Sequence, residues 1–435
     1  MLLLLLASAP PISAQRGPSA PPTYTRDIAP LLARHCTECH RAGEVGPFPL
    51  DTFLAASRHA KLIAEVTAAR YMPPYKATAA SLPFHNERRL SNREIALFAA
   101  WARNGAPSGA PHGAPSRTSP LAPPPPEAPF DLTFTLPTPY SLPAEGRDLY
   151  RCFVVPTAAA QPRYINAFRF LPGNPAVVHH ALFFFDLSGA ARKLDAEHPG
   201  PGYPCFGSPG FLPTSSLGGW SPGNRTLRMP PNTAVRLPAG ADLVMQIHYR
   251  LTGKPEADQS RLAVRFAPSA PAKRLLDIPL TSNQIDIPPG KAAYRVQDSF
   301  EVPVDVTLWQ IIPHAHFLAQ RVRAWATLPN QPRRTLLAID DWDFNWQDIY
   351  QLRTPLLLPA GTLLEMEILY NNTAANPRNP HSPPRRVTWG FSTSDEMAGM
   401  HFNITVDDEA ADLSDLTSSL WGKMIRTLGI GIPKR

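Results

Sequence analysis

The chain has 435 residues, of which 43% are hydrophobic, 18% are charged and 53 are prolines. This length predicts two or three domains with substantial hydrophobic cores, and the proline content excludes a mostly helical protein. The formal net charge of +7 comes from scattered Lys and Arg residues, so we expect no nucleic-acid partner.

The first predicted element is a secretory signal peptide over residues 1–14, with cleavage after Ala14. A run of leucines precedes small residues there, although the positively charged start typical of such peptides is missing. No other run is long and apolar enough to span a bilayer. The pattern therefore predicts an exported protein of the bacterial periplasm, without stable membrane insertion.

Residues 20–106 are predicted to form a small helical domain. The run "DTFLAASRHAKLIAEVTAARY" indicates one helix, and "SNREIALFAAWARNG" indicates another. The second helix begins with a capping box of Ser91 and Glu94 and ends at Gly105. Residues 107–129 are rich in Pro, Ala and Ser, and they predict a stiff, extended linker.

The sequence "HCTECH" in the helical domain places Cys36, Cys39 and His40 in a C-x-x-C-H array. Two thiols at this spacing form thioethers to a haem while the histidine ligates its iron. A zinc site needs a second ligand pair nearby, and a thioredoxin-like dithiol needs a βαβ context. The sequence provides neither, so we expect one covalently bound haem c.

The sixth ligand of the haem iron is expected in the segment "ARYMPPYK", where Met72 precedes two prolines. His59 and His85 are the alternatives. Residues 20–106 resemble a class I-type cytochrome c domain with a single haem. The resemblance implies an all-α fold and a methionine ligand from a loop, which Met72 matches.

After the linker, short alternating strands are separated by Pro, Gly and Asn turns. This pattern predicts two tandem antiparallel β-sandwich domains, jelly-roll-like, over residues 130–268 and 269–408. Residues 409–435 predict an amphipathic helix that packs on the body of the protein. Cys152 and Cys205 lie in the first sandwich, where they form either a disulfide or two buried thiols.

Two adjacent histidines, His179 and His180, interrupt the apolar strand "NPAVVHHALFFF". Successive strand residues point to opposite faces, so filling a gap in the core explains one of them but not both. The strand "MQIHYR" places His248 on the same face as Gln246. A single histidine in a strand is more often structural than a ligand, but imidazole also suits copper and zinc.

In the second sandwich, "IIPHAHFLAQ" places His314 and His316 on one face of a strand. Two imidazoles at this spacing can chelate one metal ion. Met397 occupies the polar turn "SDEM", an unusual place for a methionine that serves packing alone. Imidazoles without a carboxylate leave zinc open, whereas a thioether among them favours copper.

The order of these motifs resembles the copper type II, ascorbate-dependent monooxygenases, the family of peptidylglycine α-hydroxylating monooxygenase and dopamine β-monooxygenase. The resemblance covers residues 131–408. It implies two copper ions that face each other across a solvent-filled cleft.

The resemblance also implies roles for individual residues. A copper that accepts and passes electrons would be held by His179, His180 and His248. A catalytic copper, which binds O₂ and hydroxylates a C–H bond, would be held by His314, His316 and Met397. Gln246 matches a glutamine of the substrate pocket, and Cys152 and Cys205 match a disulfide of the first domain.

Four positions depart from the peptide-amidating members of this family. Ile312 stands where an arginine binds the substrate carboxylate, and a bidentate clamp of that kind needs a guanidinium. Gly399 and His401 replace an asparagine and a tyrosine, and Ala398 replaces a disulfide cysteine. Copper ligation is therefore expected to persist with a substrate other than peptidylglycine.

The sequence thus predicts a copper- and O₂-dependent monooxygenase that hydroxylates a C–H bond of a small molecule. The haem c domain on its stiff linker is expected to supply electrons, which come from an ascorbate-like reductant or a respiratory-chain cytochrome. One alternative is a non-catalytic copper and haem electron-transfer protein on the same scaffold. Another is a zinc-binding or structural sandwich that carries a cytochrome.

Overall fold

The computed structural model of the chain describes residues 20–42, 46–85, 87–109, 128–146, 148–205, 208–211, 213–222, 224, 226–271, 273–390, 392–406, 412, 414–416, 418–420, 422 and 423. These residues form two compact units. Unit 1 comprises the described residues of 20–73 and 89–109, and unit 2 comprises those of 74–88 and 128–423. The predicted signal peptide and most of the predicted linker lie outside the described residues.

Unit 1 is built from short helices around one hydrophobic core that includes the fully buried Phe98 and Trp101. Its helical segments are a π-helical turn (Tyr24–Ile28), α1 (Ala29–His35), α2 (Phe53–Arg58), α3 (Ala60–Ala68) and α4 (Asn92–Arg103). Trp101 donates its indole N–H to the Pro107 carbonyl, and Thr25 donates its backbone N–H to the Ser108 carbonyl. Residues 107–109 therefore belong to this unit and not to the predicted linker.

Helix α4 starts and ends where the sequence predicts. Ser91 accepts a hydrogen bond from the Glu94 N–H, and the Glu94 carboxylate accepts one from the Ser91 N–H at 2.8 Å. Gly105 follows with a φ of +75°, which glycine adopts without strain. The predicted helix over residues 51–71, in contrast, is broken at His59, whose ψ of 10° lies outside the helical range.

Residues 74–88, which we call the strap, were predicted as part of the helical domain but belong to unit 2. Ala77 forms a β-bridge with Ile339, and Phe84 forms one with Leu352. The backbone of the strap is thus paired with strands of the second sandwich. Long-range pairing of this kind, and not continuity with the preceding helices, determines where the segment folds.

The first sandwich of unit 2 consists of two main sheets around one core. Its elements are β1 (Leu132–Thr135), β2 (Tyr140–Leu142), β3 (Leu149–Pro156), β4 (Arg163–Leu171), β5 (Val178–Asp186), α5 (Ala190–Ala196), β6 (Tyr203–Pro204), β7 (Ser215–Trp220), β8 (Thr226–Arg228), β9 (Thr233–Leu237), β10 (Asp242–Tyr249), β11 (Glu256–Asp258), β12 (Arg261–Phe266) and β13 (Lys273–Arg274). One sheet has the order β1-β12-β4-β9-β13, with β8 on β4, and the other has the order β6-β3-β10-β5-β7. All these pairs are antiparallel except β9 with β13.

The second sandwich has the same plan around its own core. Its strands are β14 (Leu276–Ser282), β15 (Asp286–Ile287), β16 (Tyr294–Glu301), β17 (Val306–Ala315), β18 (Ala319–Thr327), β19 (Arg334–Ile339), β20 (Tyr350–Leu358), β21 (Leu363–Tyr370), β22 (Val387–Thr388) and β23 (Ala398–Val406). The main sheets have the orders β14-β23-β17-β20 and β16-β21-β18-β19. The predicted antiparallel β architecture after the linker is therefore confirmed.

The predicted boundary between the sandwiches, at 268/269, is displaced. β13 pairs with β9 of the first sandwich and β14 with β23 of the second, so the boundary lies at residue 275. The disulfide between Cys152 and Cys205 is confirmed. The described residues between 412 and 423 are helical, and most of the predicted amphipathic helix over residues 409–435 lies outside the described residues. No helix in the described part of the chain is long and apolar enough to cross a membrane.

Candidate metal centres

The adjacent histidines of the first sandwich lie at a β-bulge in β5. His248 on β10 pairs with His180, but the next residue, Tyr249, pairs with Val178, so His179 is the extra residue of the bulge. The apolar residues on either side of the two histidines are in the core, and both histidines line a cavity outside it. An extra residue lets two consecutive side chains share one face of the sheet.

The bulge brings three imidazoles together. Nδ1 of His180 lies 3.2 Å from Nδ1 of His179 and 3.3 Å from Nδ1 of His248. One ring nitrogen of each histidine lies within 4.8 Å of the others. Nitrogens at these separations can bind one metal ion together, because metal–imidazole bonds are about 2 Å long.

Hydrogen bonds outside this cluster determine which ring nitrogens face inward. His248 donates from Nε2 to the Asp148 carboxylate at 2.9 Å, and His179 donates from Nε2 to Asn345 Oδ1 at 3.4 Å. Each bond leaves the Nδ1 lone pair for a metal. The ring of Tyr150 stacks on that of His248, with centroids 4.0 Å apart, and so supports the buried imidazole from one face.

The second set of predicted ligands lies at the end of β17 and just before β23, which are hydrogen-bonded neighbours. His314 is on β17, His316 follows the strand directly, and Met397 directly precedes β23. The rings of His314 and His316 have centroids 5.4 Å apart. His314 donates from Nδ1 to Gln347 Oε1 at 2.7 Å, and His316 donates from Nδ1 to the Asp395 carbonyl at 3.1 Å. Nε2 of each ring is left for a metal, and Met397 lines the same cavity.

A buried carboxylate, which the sequence analysis did not identify, holds the two segments of this second set together. Glu396 accepts hydrogen bonds from the backbone N–H groups of His316 at 2.9 Å, Leu318 at 2.6 Å and Met397 at 3.3 Å. The Tyr370 hydroxyl donates to the Met397 carbonyl at 2.6 Å. Burial raises the pKa of Glu396 to about 8.

Both sets of ligands meet at one cavity of about 480 Å³. Five of the predicted metal ligands line it: His179, His180, His314, His316 and Met397. His248 is 1% exposed and is not among the lining residues. Aromatic walls are contributed by Trp220, Phe344 and Trp389.

A loop that no sequence motif marked also lines this cavity. It connects β19 to β20, and it contributes Phe344, Asn345, Gln347 and Ile349. Its contacts to the histidines join residues far apart in sequence, so no local pattern could have identified them.

The histidines of both sets favour the neutral form. Burial lowers the pKa of His179 to about 4, that of His314 to about 4 and that of His316 to about 3. Burial also lowers the pKa of His180 well below its ordinary value, and the neighbouring His248 lowers that pKa further. A neutral imidazole is the form that ligates a metal, so these rings are ready to bind at neutral pH.

Gln246 lies in the cavity wall, on the strand that carries His248. It is 2% exposed, and its Nε2 donates to the Ser208 carbonyl at 3.1 Å. The same nitrogen lies 3.5 Å from Sγ of Cys205. Its amide group is thus engaged beside the disulfide, and contact with a substrate stays a prediction.

Two of the positions that depart from the peptide-amidating enzymes face each other across the strands. Ile312 on β17 pairs with His401 on β23, and both line the cavity. His401 donates from Nδ1 to Asp277 at 2.7 Å, and that carboxylate raises the pKa of His401. A histidine–carboxylate pair therefore borders this part of the cavity.

In unit 1, the C-x-x-C-H array forms a turn directly after α1. The N–H groups of Cys39 and His40 both donate to the Cys36 carbonyl, at 3.1 and 2.9 Å. His40 donates from Nδ1 to the Phe48 carbonyl at 2.9 Å, which leaves Nε2 for an iron. A Cβ at Gly46 would lie 2.6 Å from the Cys39 carbonyl oxygen, so this close approach requires glycine.

The three candidates for the sixth iron ligand have different surroundings in the structure. His59 stacks on Phe48, with ring centroids 3.9 Å apart, and the Phe48 carbonyl is the group that holds His40. His85 is part of the strap, where its N–H donates to the Gln351 carbonyl. Met72 is half-buried and follows α3, and its ligation of iron stays a prediction.

Comparison of the chain with models of protein families and with curated proteins finds no match. Similar solved structures include VP2 of an infectious bursal disease virus subviral particle, with 13% identity, a TM-score of 0.20, and coverage of 66% of this chain and 73% of that one. The major capsid protein P2 of bacteriophage PM2 has 11% identity and a TM-score of 0.25, and the match covers 63% of this chain and 97% of that one.

Proposed function

We propose that the chain is a copper- and O₂-dependent monooxygenase that hydroxylates a C–H bond of a small molecule, with electrons supplied by a haem c in unit 1. One observation carries the proposal: two different sets of candidate metal ligands meet at a single cavity, which all of them except the buried His248 line. The first set is His179, His180 and His248. The second set is His314, His316 and Met397. The reaction consumes substrate, O₂, two electrons and two protons, and it yields the alcohol and water.

The two donor sets are suited to copper. The first offers three neutral imidazoles, and the second offers two imidazoles with a thioether, which favours the reduced state of copper. Copper bound there would supply one-electron redox chemistry at the first set and O₂ activation at the second. The chain itself fixes the imidazole tautomers through groups such as Asp148 and Gln347.

The proposed haem would be attached to Cys36 and Cys39, with His40 as one iron ligand and Met72 as the other. In the turn after α1, His40 uses Nδ1 for its hydrogen bond to the Phe48 carbonyl, so its Nε2 is available to the iron. A haem c transfers one electron at a time, so two transfers from an external donor support each turnover. Export to the periplasm also belongs to the proposal, because the Cys152–Cys205 disulfide persists in an oxidising compartment.

The full chain, matured with haem and loaded with copper, is expected to contain two coppers per haem iron. His248→Ala should lose one copper, because the first set then keeps two of its three imidazoles. Metal analysis of the purified protein by mass spectrometry provides the measurement. His198→Ala is the matched control, since His198 bonds to the Leu194 carbonyl in the same sandwich and lies outside the cavity; it should keep both coppers.

The same measurement separates the alternatives. One copper per haem iron in the parent would favour a non-catalytic electron-transfer protein. Zinc bound in place of copper, or no metal besides the haem iron, would contradict a monooxygenase.

Reduced haem in the copper-loaded parent is expected to be reoxidised in stopped-flow experiments faster than in His248→Ala. The linker raises the local concentration of the donor, and removing a ligand of the first set removes its acceptor. The His198→Ala protein should match the parent. Equal rates in the parent and His248→Ala would exclude electron supply from the haem to the first set.

A further inference from the structure

Residues 340–349, which we call the bridging loop, connect β19 to β20 and so join one edge of each main sheet of the second sandwich. We propose that this loop is a positioning element that sets the orientation of ligand histidines in both metal sets at once. The inference rests on the proposed function. It assigns roles to Phe344, Asn345 and Gln347.

At the first set, the loop reaches His179 through an amide. Asn345 Oδ1 accepts the Nε2–H of His179 at 3.4 Å. The orientation of that amide is fixed by Asp343, whose Oδ1 accepts both the backbone N–H and the side-chain NH₂ of Asn345, each at 3.1 Å. The acceptor oxygen is thus held toward the histidine, and the histidine keeps Nδ1 toward its cluster.

At the second set, the loop reaches His314 through another amide. Gln347 Oε1 accepts the Nδ1–H of His314 at 2.7 Å. Its NH₂ group donates to the Phe344 carbonyl at 3.1 Å, which determines the orientation of the amide. The carbonyl of Gln347 in turn accepts from the hydroxyl of Ser221 at 2.6 Å, so the loop is tied to the first sandwich as well.

Between these two amides, one aromatic ring touches a histidine of each set. Phe344 stacks on His179 with centroids 5.0 Å apart and an interplanar angle of 14°. The same ring meets His316 edge to face, at 5.5 Å and 86°. A displacement of Phe344 therefore changes the packing of both sets together.

The strap holds the bridging loop in place. Lys76 is 9% exposed at its side chain and pairs with Asp341 at 2.8 Å and with Asp343 at 3.8 Å. Arg88 pairs with Asp348 at 2.6 Å near the other end of the loop. Because the strap also pairs with the strands at both ends of the loop, the loop has little freedom to move away from the histidines.

The expected consequence is a specific loss of metal affinity when one acceptor is removed. Without Gln347 Oε1, the ring of His314 can rotate or change tautomer, and its Nε2 lone pair is no longer held toward a metal. A hydrogen-bond acceptor that orients a metal-ligating histidine typically contributes 10- to 100-fold to metal affinity. The effect should stay within the set whose histidine lost its acceptor.

The test uses full-length Gln347→Leu and Asn345→Leu proteins loaded with Cu(II). Gln347→Leu should weaken copper binding at the second set by roughly 10- to 100-fold in competition with a chelator, and should change its EPR hyperfine coupling. Asn345→Leu should affect the first set instead, and less strongly because its hydrogen bond is longer. Gln347→Glu keeps an acceptor oxygen and should retain the parent spectrum. Gln331→Leu, at an exposed turn of the same sandwich, is the matched control.

Unchanged EPR spectra and copper affinities in Gln347→Leu would overturn the positioning role but not the proposed function. An equal loss of copper affinity at both sets in this variant would also overturn the positioning role, because it would indicate a general effect on folding. A parent protein that binds no copper would overturn the proposed function, and this is measured before any variant is made. Lys76→Met should weaken both sets by the same factor, since it loosens the whole loop. If it changes neither set, the strap does not hold the loop.

Discussion

Replacing Glu396 by leucine is expected to destabilise the second sandwich by about 3 kcal/mol or more. The carboxylate is fully buried and accepts hydrogen bonds from three backbone N–H groups, those of His316, Leu318 and Met397. A leucine leaves all three donors buried without an acceptor, at a cost of about 1–3 kcal/mol each. Calorimetry of the full chain should show the corresponding melting transition lowered by roughly 6 °C or more.

The control for this variant is Glu301→Leu, which changes an exposed glutamate on β16 of the same sandwich. Its melting temperature should stay close to that of the parent. Glu396→Gln keeps one acceptor oxygen and should lie between the two. If Glu396→Leu had the same melting temperature as the Glu301→Leu control, the buried carboxylate would not stabilise the segments that carry His316 and Met397.

The ligand sets illustrate what the sequence could predict. The i, i+2 spacing of His314 and His316 predicts that both lie on one face of a strand. In the structure His314 is on β17, His316 is the residue after its end, and both line the cavity. The pair His179 and His180 does not follow from alternation, because a regular strand separates adjacent residues. The bulge leaves a trace in the sequence, since Val178 and Ala181 are both core residues although they are three positions apart.

Contacts between distant segments explain what the sequence could not predict. The hydrogen bonds of Asn345 to His179 and of Gln347 to His314 depend on how the two sandwiches pack. The strap was predicted with unit 1 because it follows the helices in sequence, but its lysine and arginine find their carboxylates on the bridging loop. The break at His59 has no proline or glycine to indicate it, and stacking on Phe48 accompanies it instead.

Acidification is expected to destabilise the metal-free protein strongly between pH 6.5 and pH 4. Burial holds the pKa of His179 and of His314 at about 4 and that of His316 at about 3, whereas an unfolded histidine titrates near 6.5. Below pH 6.5 the unfolded chain therefore binds protons that the folded chain does not, and the free energy of unfolding falls. Above pH 6.5 both states are neutral at these sites and the contribution is constant.

The size of this effect follows from the same shifts. Each pH unit between the two pKa values contributes about 1.4 kcal/mol per histidine. Because the rings influence one another, we expect a total of about 5 kcal/mol and not the full sum. Two groups act in the opposite direction. Burial raises the pKa of Glu396 to about 8, so between pH 6.5 and 4.5 the folded chain holds a proton there that the unfolded chain does not, and this offsets part of the loss. Asp277 also raises the pKa of His401, but that side chain is 38% exposed and its contribution is smaller.

Melting temperatures of the chelator-treated protein at pH 7.5, 6.5, 5.5 and 4.5 would measure this loss. The double variant His180→Gln, His316→Gln carries two fewer of the depressed groups, so its melting temperature should fall less steeply with acid. His198→Gln, outside the cavity, should keep the parent profile. Bound copper competes with protons for the same imidazole lone pairs, so the copper-loaded protein should resist acid to a lower pH than the metal-free protein. A flat profile of the metal-free protein between pH 6.5 and 4.5 would mean that the histidines are not held neutral by burial, and that the cavity is more open to water than its lining indicates.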